Sequence, residues 1–254
     1  EMMQRTTTVQ TNLDWSDEAD AAAKLRCLMS VTSILTALYA SSPIVDGQVS
    51  GYQSYRAHIW RDTDNARAGL LDFAFTRDDI YRAYVEWALD VPMYFLYRGG
   101  YQPVPAGYSF GRFLREGYGG ERATRADWAL HLSTLFPDAR MKKYMEVRGC
   151  DCGSLPMIAA LAPLCRGLLY DADARAAAIA LTAGLDFAAR QAVADQVPRA
   201  GLRTPVGATT LGALARELVT IAADGLRRVD ANAVELLAPV IEIAETGRTQ
   251  SDAI

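Results

Sequence analysis

Alternating hydrophobic and polar positions predict a strand over residues 144–151. Met145 and Val147 fall on one face of this strand, and Glu146 and Arg148 fall on the other. The apolar face can pack against a core while the opposite face presents a carboxylate beside a guanidinium. Such a pair can bind a divalent cation and phosphate oxygens, so it is a candidate part of a nucleotide-phosphate site. The alternative is a solvated ion pair worth about 0–1 kcal/mol.

A second alternating segment, residues 5–14, predicts another strand with one polar face. Val9 and Leu13 share the apolar face, whereas Gln10 and Asn12 lie on the other. The polar face is a candidate working surface. The alternative is that the two amide side chains satisfy neighbouring backbone groups.

Helical spacing dominates the rest of the chain. Ser16 is the predicted cap of a helix that runs to about Ala40. Residues 44–72 are interpreted as loop and short strand. Further predictions are helices over 78–89 and 125–135, a strand over 91–97, and helices from Met157 onward with breaks at 198–205 and 228–232. This pattern predicts an α+β fold, with strands and helices mixed in residues 1–152 and a helical part over residues 153–254.

Composition narrows the classes of function. The chain has 254 residues, a net charge of -4 and a pI near 5.3, which leaves no global basic field and disfavours nucleic-acid binding. The longest apolar stretch, residues 155–165, contains two prolines and is shorter than the roughly 20 residues that span a bilayer. No basic and then apolar leader opens the chain. We therefore expect a cytoplasmic protein without a membrane segment.

The four cysteines do not predict a metal centre. Only Cys150 and Cys152 are close in sequence, and the two histidines, His58 and His131, lack ligand spacing. A zinc site is disfavoured, and reduced thiols are expected.

Six blocks, taken in order, resemble the plant and proteobacterial type of glutamate–cysteine ligase. They are residues 2–14 (MMQRTTTVQTNLD), 37–43 (ALYASSP), 54–64 (SYRAHIWRDTD), 88–94 (ALDVPMY), 143–149 (KYMEVRG) and 167–171 (GLLYD). Their order and spacing match over nearly the whole chain, which is more specific than any single motif.

The resemblance implies an ATP- and Mg²⁺-dependent ligase with a glutamine-synthetase-like antiparallel sheet, present here in part, that carries the active site. In that family ATP phosphorylates the γ-carboxylate of glutamate, and the amine of cysteine displaces the phosphate in the first step of glutathione synthesis. Phosphoryl transfer of this kind depends on positioning and charge stabilisation. The whole chain would then be one catalytic-domain fragment with glutamate and cysteine as substrates.

The resemblance also implies roles for individual residues. Glu146 matches a magnesium ligand, and Arg148 matches an arginine that contacts ATP phosphate. Arg56 matches an arginine that binds a substrate carboxylate. Tyr94 matches a tyrosine of the cysteine pocket.

The remaining matched positions have less specific roles. Gln10 matches a residue on the metal or phosphate side, and Asn12 shares its face. Trp60 lies in matching sequence beside the substrate arginine. Without the resemblance, Arg56 would be interpreted as a surface partner of Asp62 or Asp64, and Tyr94 and Trp60 as core aromatics.

The family is longer than this chain, and its upstream part supplies further acidic magnesium ligands. We therefore expect the chain to be a central and C-terminal portion that works with a complementary upstream segment. No cysteine occurs between Cys27 and Cys150, so the disulfide switch of plant relatives is expected to be absent. Two alternatives remain, namely a γ-glutamyl ligase for another amine and an inactive remnant that serves as an interaction partner. The sequence leaves the oligomeric state open.

Overall fold

The computed structural model describes residues 2–254 and has an α+β architecture, as the sequence predicts. The α-helices are α1 Met2–Arg5, α2 Glu18–Leu38, α3 Tyr55–Arg61, α4 Phe73–Thr76, α5 Ile80–Asp90, α6 Phe110–Glu116, α7 Arg125–Ser133, α8 Leu155–Tyr170, α9 Ala172–Ala180, α10 Phe187–Ala200, α11 Leu211–Asp230 and α12 Ala238–Thr246. The strands are β1 Thr11–Leu13, β2 Ile44–Val45, β3 Gln48–Val49, β4 Ala68–Gly69, β5 Phe95–Tyr97, β6 Tyr101–Pro103, β7 Phe136–Pro137, β8 Ala139–Met141, β9 Met145–Val147, β10 Pro205–Val206 and β11 Thr209–Thr210. Short 3-10 helices span Gly201–Arg203, Ala231–Leu237 and Gln250–Ala253.

A three-stranded antiparallel sheet in the order β1-β9-β8 separates an apolar from a polar layer. On one face Leu13 pairs with Met145, which pairs with Met141; all three are buried in the main core with α2. On the other face Asn12 lies opposite Glu146, which lies opposite Arg140. The predicted alternation of residues 144–151 is therefore confirmed, although β9 itself contains only three residues.

Helix α2 forms the centre of the core. Asp17, rather than the predicted Ser16, caps it, because the Asp17 side chain accepts a hydrogen bond from the backbone N–H of Asp20 at 2.8 Å. By length and composition, α2 could cross a membrane, as could the bent pair α8 and α9 if it counts as one span. However, 78% of the most apolar window of α2 is buried inside the protein, which is typical of a core helix.

The second half packs helix against helix. Helices α8 and α11 approach closely at Gly167 and Gly225, where a Cβ atom on Gly167 would lie 2.1 Å from the carbonyl oxygen of Ala222. A Cβ atom on Gly225 would lie 2.2 Å from the carbonyl oxygen of Gly167. The absence of side chains at these two positions is what allows the backbones to touch.

The interpretation of residues 44–72 as loop and short strand is wrong at α3. Ser54 accepts a hydrogen bond from the N–H of Ala57 through its side chain and starts a helix that carries Arg56 and Trp60. A side-chain cap outweighs the β-propensity of the aromatic residues here.

The predicted helix break over residues 198–205 is present but starts later, because Pro198 lies in the last turn of α10, which ends at Ala200. Gly201 follows the last residue of the helix, and its φ of +55° suits glycine. The carbonyl oxygen of Pro198 accepts hydrogen bonds from the N–H groups of Gln53 and Ser54 at 2.8 and 2.9 Å. The end of α10 thus fixes the loop that precedes α3.

The strand predicted over residues 91–97 is shorter in the structure. Only Phe95–Tyr97 forms a strand, in a hairpin with Tyr101–Pro103, while Pro92 forms an isolated antiparallel bridge with Ser109. Pro92 contributes no backbone N–H, so the strand begins after it.

Candidate active site

Glu146 is a buried carboxylate held by two guanidinium groups. Its Oε2 accepts hydrogen bonds from Arg140 Nε at 2.7 Å and from Arg148 Nη1 at 2.8 Å. Only Lys142 Nζ, 3.9 Å away, forms an ion pair with Oε1 among the described residues. Burial raises the pKa of Glu146, but the hydrogen bonds from the two arginines outweigh burial and hold the pKa below its usual value. The carboxylate is therefore ionised at neutral pH, and one of its oxygens faces a weaker partner.

Arg148 connects this pair to α3. Its guanidinium lies 5.8 Å from the ring centroids of both Trp60 and Phe136, within the range of cation–π attraction. Its backbone oxygen accepts a hydrogen bond from Arg56 Nη2 at 2.6 Å. Arg56 is 5% exposed, so the alternative of a surface pair with Asp62 or Asp64 is wrong.

A buried carboxylate, Asp151, fixes the start of α3. It accepts hydrogen bonds from the hydroxyl groups of Ser42 and Ser54, each at 2.7 Å, and from the backbone N–H of Ser41 at 3.0 Å. The Ser42 hydroxyl in turn accepts a hydrogen bond from the backbone N–H of Arg56 at 3.1 Å. Burial raises the pKa of Asp151, and these hydrogen bonds oppose that shift. The position of Arg56 thus depends on a carboxylate that lies outside α3.

A cavity of about 40 Å³ opens between α3, the β7–β8 segment and α10. Side chains that line it include Arg56, Trp60, Arg61, Phe136, Asp138 and Arg148. Two buried N–H groups of these residues, Arg56 Nε and Trp60 Nε1, have no hydrogen-bond partner in the described part of the chain. An unsatisfied buried donor costs about 1–3 kcal/mol, so a bound acceptor would be stabilised here.

Charges around this cavity are unevenly paired. Arg61 forms an ion pair with Asp195, whereas Arg56 has no carboxylate partner among residues 2–254. Asp138 is half-buried, and loss of hydration raises its pKa although Arg61, Arg56 and Arg148 oppose the shift. The surroundings can therefore bind an anionic group.

Tyr94 belongs to a different cluster. Its hydroxyl donates to Asp64 Oδ2 at 3.0 Å, and the guanidinium of Arg67 lies 3.5 Å from its ring centroid. Arg67 is 1% exposed and also binds Asp64 at 2.7 Å, so this cluster is tightly held. Tyr94 itself is 43% exposed, which contradicts its interpretation as a core aromatic. It does not line the cavity beside Arg56.

Gln10 and Asn12 are exposed on the polar side of β1, and Asn12 lies directly opposite Glu146. Within the described residues, no group of three or more histidine, cysteine, aspartate or glutamate side chains could hold a metal ion. Glu146 commits Oε2 to Arg140 and Arg148. The residues described here therefore do not form a complete magnesium site by themselves.

The sequence prediction missed three residues that build this site: Arg140, Asp138 and Asp151. The alternation of residues 138–142, with Ala139 and Met141 between polar positions, was a detectable signal for β8. Nothing in the sequence marked Asp151, because its partners lie about 100 residues upstream.

The chain matches the model of glutamate-cysteine ligase family 2 (GCS2) over residues 1–254. The chain belongs to this family. It is similar to the chloroplastic glutamate–cysteine ligases of Brassica juncea (42% identical), Arabidopsis thaliana (41%) and Nicotiana tabacum (40%). Each alignment covers 99% of this chain and 49–50% of the relative. The chain therefore spans about half the length of the curated relatives it matches.

The names of these relatives contradict the cytoplasmic location that we expected from the sequence. The relatives are named as chloroplastic enzymes, so the prediction of a cytoplasmic protein is not supported. The expectation rested on the absence of a leader at the start of the chain, and that observation carries no information on location for a chain that aligns with half of each relative.

Proposed function

We propose that this chain supplies part of the active site of an ATP-dependent glutamate–cysteine ligase. In the proposed reaction, ATP transfers a phosphoryl group to the γ-carboxylate of glutamate. The cysteine amine then attacks the acyl carbon, so a C–N bond forms, the bond from carbon to the phosphate oxygen breaks and phosphate leaves. The observation that carries the proposal is the buried Glu146–Arg148 pair beside a cavity whose Arg56 lacks a carboxylate partner among residues 2–254.

In this proposal the arginines bind the anionic groups. Arg148 contacts an ATP phosphate, since a guanidinium can donate two hydrogen bonds to phosphate oxygens. Arg56 binds a substrate carboxylate beside Trp60, and the unpartnered N–H groups of both residues support this role. The exposed Tyr94 contributes to the cysteine pocket from its cluster with Asp64 and Arg67.

The polar face of the sheet is proposed to be part of a glutamine-synthetase-like sheet within a single catalytic domain. Glu146 would contribute Oε1 to Mg²⁺, and Gln10 and Asn12 would line the metal or phosphate side. Mg²⁺ requires near-octahedral oxygen coordination, so it would need ligands beyond those that the described residues bring together. When bound, Mg²⁺ would neutralise phosphate charge.

The test uses the complete protein that carries this chain, with glutamate, cysteine, ATP and Mg²⁺. We expect release of phosphate that depends on both amino acids and formation of γ-glutamylcysteine, detected by mass spectrometry. Glu146→Ala should abolish most of this activity, whereas Glu116→Ala, at an exposed glutamate of α6, should retain it. Absence of both products from folded wild-type protein would refute the proposal.

Parallel assays with other amines test the choice of acceptor. A wide preference for cysteine would support the proposed reaction. Equal or faster phosphate release with another amine would instead assign the chain to a γ-glutamyl ligase of different specificity.

A further inference from the structure

Asp138 lines the cavity described above, and its carboxyl group has no partner among residues 2–254. The other acidic side chains nearby are engaged: Asp195 with Arg61, and Glu146 with Arg140 and Arg148. By contrast, the Asp138 carboxylate forms no ion pair and no side-chain hydrogen bond with any of residues 2–254. It nevertheless lines the same cavity as Arg56 and Arg148.

The backbone of Asp138 is fixed on both sides. Its N–H donates to the carbonyl oxygen of Gly69 at 3.0 Å, and its carbonyl oxygen accepts from the N–H of Arg148 at 3.1 Å. The carboxylate therefore starts from a rigid position at the junction of β7 and β8.

Arg56 is the complementary unpaired cation. Its Nη2 binds only a backbone oxygen, that of Arg148, and its Nε has no partner within the described chain. Trp60 Nε1 is a second buried donor without a partner in the same region. One cavity is thus lined by a guanidinium and a carboxyl group that have no charged partner among residues 2–254 and do not bind each other.

A ligand that carries both charges would satisfy both groups. A phosphate would satisfy the donors but would bring negative charge towards Asp138, and a simple ammonium would be repelled by Arg56. A water-sized group needs about 10–15 Å³ of such a cavity, so about 40 Å³ accommodates a few groups of that size, as in an amino-acid head group.

We propose that this cavity binds the α-ammonium and α-carboxylate groups of an amino-acid substrate, with Asp138 as the partner of the ammonium. Arg56 and Trp60 donate hydrogen bonds to the carboxylate. This inference rests on the proposed function and adds to it a residue that distinguishes an amino acid from the corresponding acid without an amino group.

The test compares pairs of ligands in the complete protein and in Asp138→Asn. Calorimetry measures the dissociation constants of glutamate and glutarate, and of cysteine and 3-mercaptopropionate; the second member of each pair lacks the amino group. In one pair, we expect the preference for the amino acid to fall about 10- to 100-fold in the variant, because a charge-assisted hydrogen bond is lost. The pair that responds identifies the substrate.

The analogue without the amino group should bind the variant at least as tightly as the wild type, because it makes no hydrogen bond to Asp138 and the variant lacks a carboxylate that could repel it. A structural role would weaken both members of a pair equally. Asp62→Asn, at an exposed carboxylate that does not line the cavity, is the matched control and should leave all ratios unchanged.

Unchanged ratios in folded Asp138→Asn would overturn the inference. If that variant fails to fold, Asp138→Glu tests the same point, since it retains the charge but displaces it. A smaller loss of preference in one pair is then expected, and an unchanged ratio again overturns the inference. Calorimetry requires no turnover, so failure of ligase activity is distinguishable from failure of this site.

Discussion

The cavity beside α3 and the contact between α8 and α11 are built in opposite ways. At the cavity, Arg56, Trp60 and Asp138 retain polar groups without partners among the described residues. At the helix contact, Gly167 and Gly225 bring two backbones together with no room for one more carbon atom. The comparison shows where this fold can bind a ligand: in the region where the chain leaves hydrogen bonds and charges unmatched, and not where packing is complete.

The largest effect on stability is expected from filling the helix contact. Gly167→Val would place side-chain atoms where a Cβ alone already lies 2.1 Å from the oxygen of Ala222. Neither backbone can move without separating α8 from α11, so we expect a loss of about 3 kcal/mol or more in the free energy of unfolding. Urea denaturation followed by circular dichroism measures this loss.

Gly184→Ala is the matched control, because nothing lies within 4 Å of a Cβ atom at that position. Its free energy of unfolding should stay within about 0.5 kcal/mol of the wild type. Equal stabilities for the two variants would refute the description of α8 and α11 as a close-packed contact.

The next largest effect concerns catalysis rather than folding. Arg148→Ala should reduce the ATP-dependent release of phosphate about 10²- to 10³-fold, because a guanidinium that stabilises transferred charge is lost. Glu146 retains Arg140 as a partner, so the fold should persist. Steady-state kinetics of the complete protein measures the change, with Arg112→Ala at an exposed arginine of α6 as control.

A smaller, more selective effect is expected at Arg56. Arg56→Ala should raise the KM of one amino-acid substrate about tenfold or more and change kcat less, because it removes the proposed contact with a substrate carboxylate. The diagnostic measurement is the KM of glutamate and cysteine at saturating ATP. If Arg56→Ala impaired ATP use while Arg148→Ala raised an amino-acid KM, the assigned roles would be reversed.

The smallest effect is the pH dependence of the Glu146 pair. Its pKa in the folded protein lies below the ordinary value of 4.5, so the stabilisation is complete above that pH and is lost as pH falls through the folded pKa. Glu146→Gln cannot titrate and leaves Arg140 and Arg148 without their carboxylate. The difference in unfolding free energy between wild type and variant should therefore narrow below pH 4.5.

Urea titrations at pH 7, 5, 4 and 3 measure this difference. A constant gap over that range would show that the carboxylate does not stabilise the fold through its charge.

Periodicity was sufficient to predict the long helices and the two faces of the sheet. Residues such as Met145 and Leu13 are buried because their spacing matches the pleat, and this information is local. Helix α3 was missed because its start depends on the Ser54 side chain, which competed with strand-forming aromatic residues.

The site itself depended on information that is not local. Alternation marked Glu146 and Arg148 as a candidate phosphate site, but their specific roles and the choice of Arg56 came from the resemblance; the structure brings the three together. The hydrogen bonds of Asp151 and the position of Asp138 depend on tertiary contacts that no sequence window contains. Tyr94 was assigned to the cysteine pocket from the resemblance, and in the structure its contacts are with Asp64 and Arg67.

The loop before α3 has a consequence for exchanging parts between relatives. Gln53 is held by the carbonyl oxygen of Pro198 and by the hydroxyl of Thr249, both of which follow residues 153–156 in the chain. A chimaera joined at residues 153–156 would combine α3 from one parent with the residues that support its preceding loop from another. Folding of the chimaera would depend on taking the loop that contains Gln53 and the residues equivalent to Pro198 and Thr249 from the same parent.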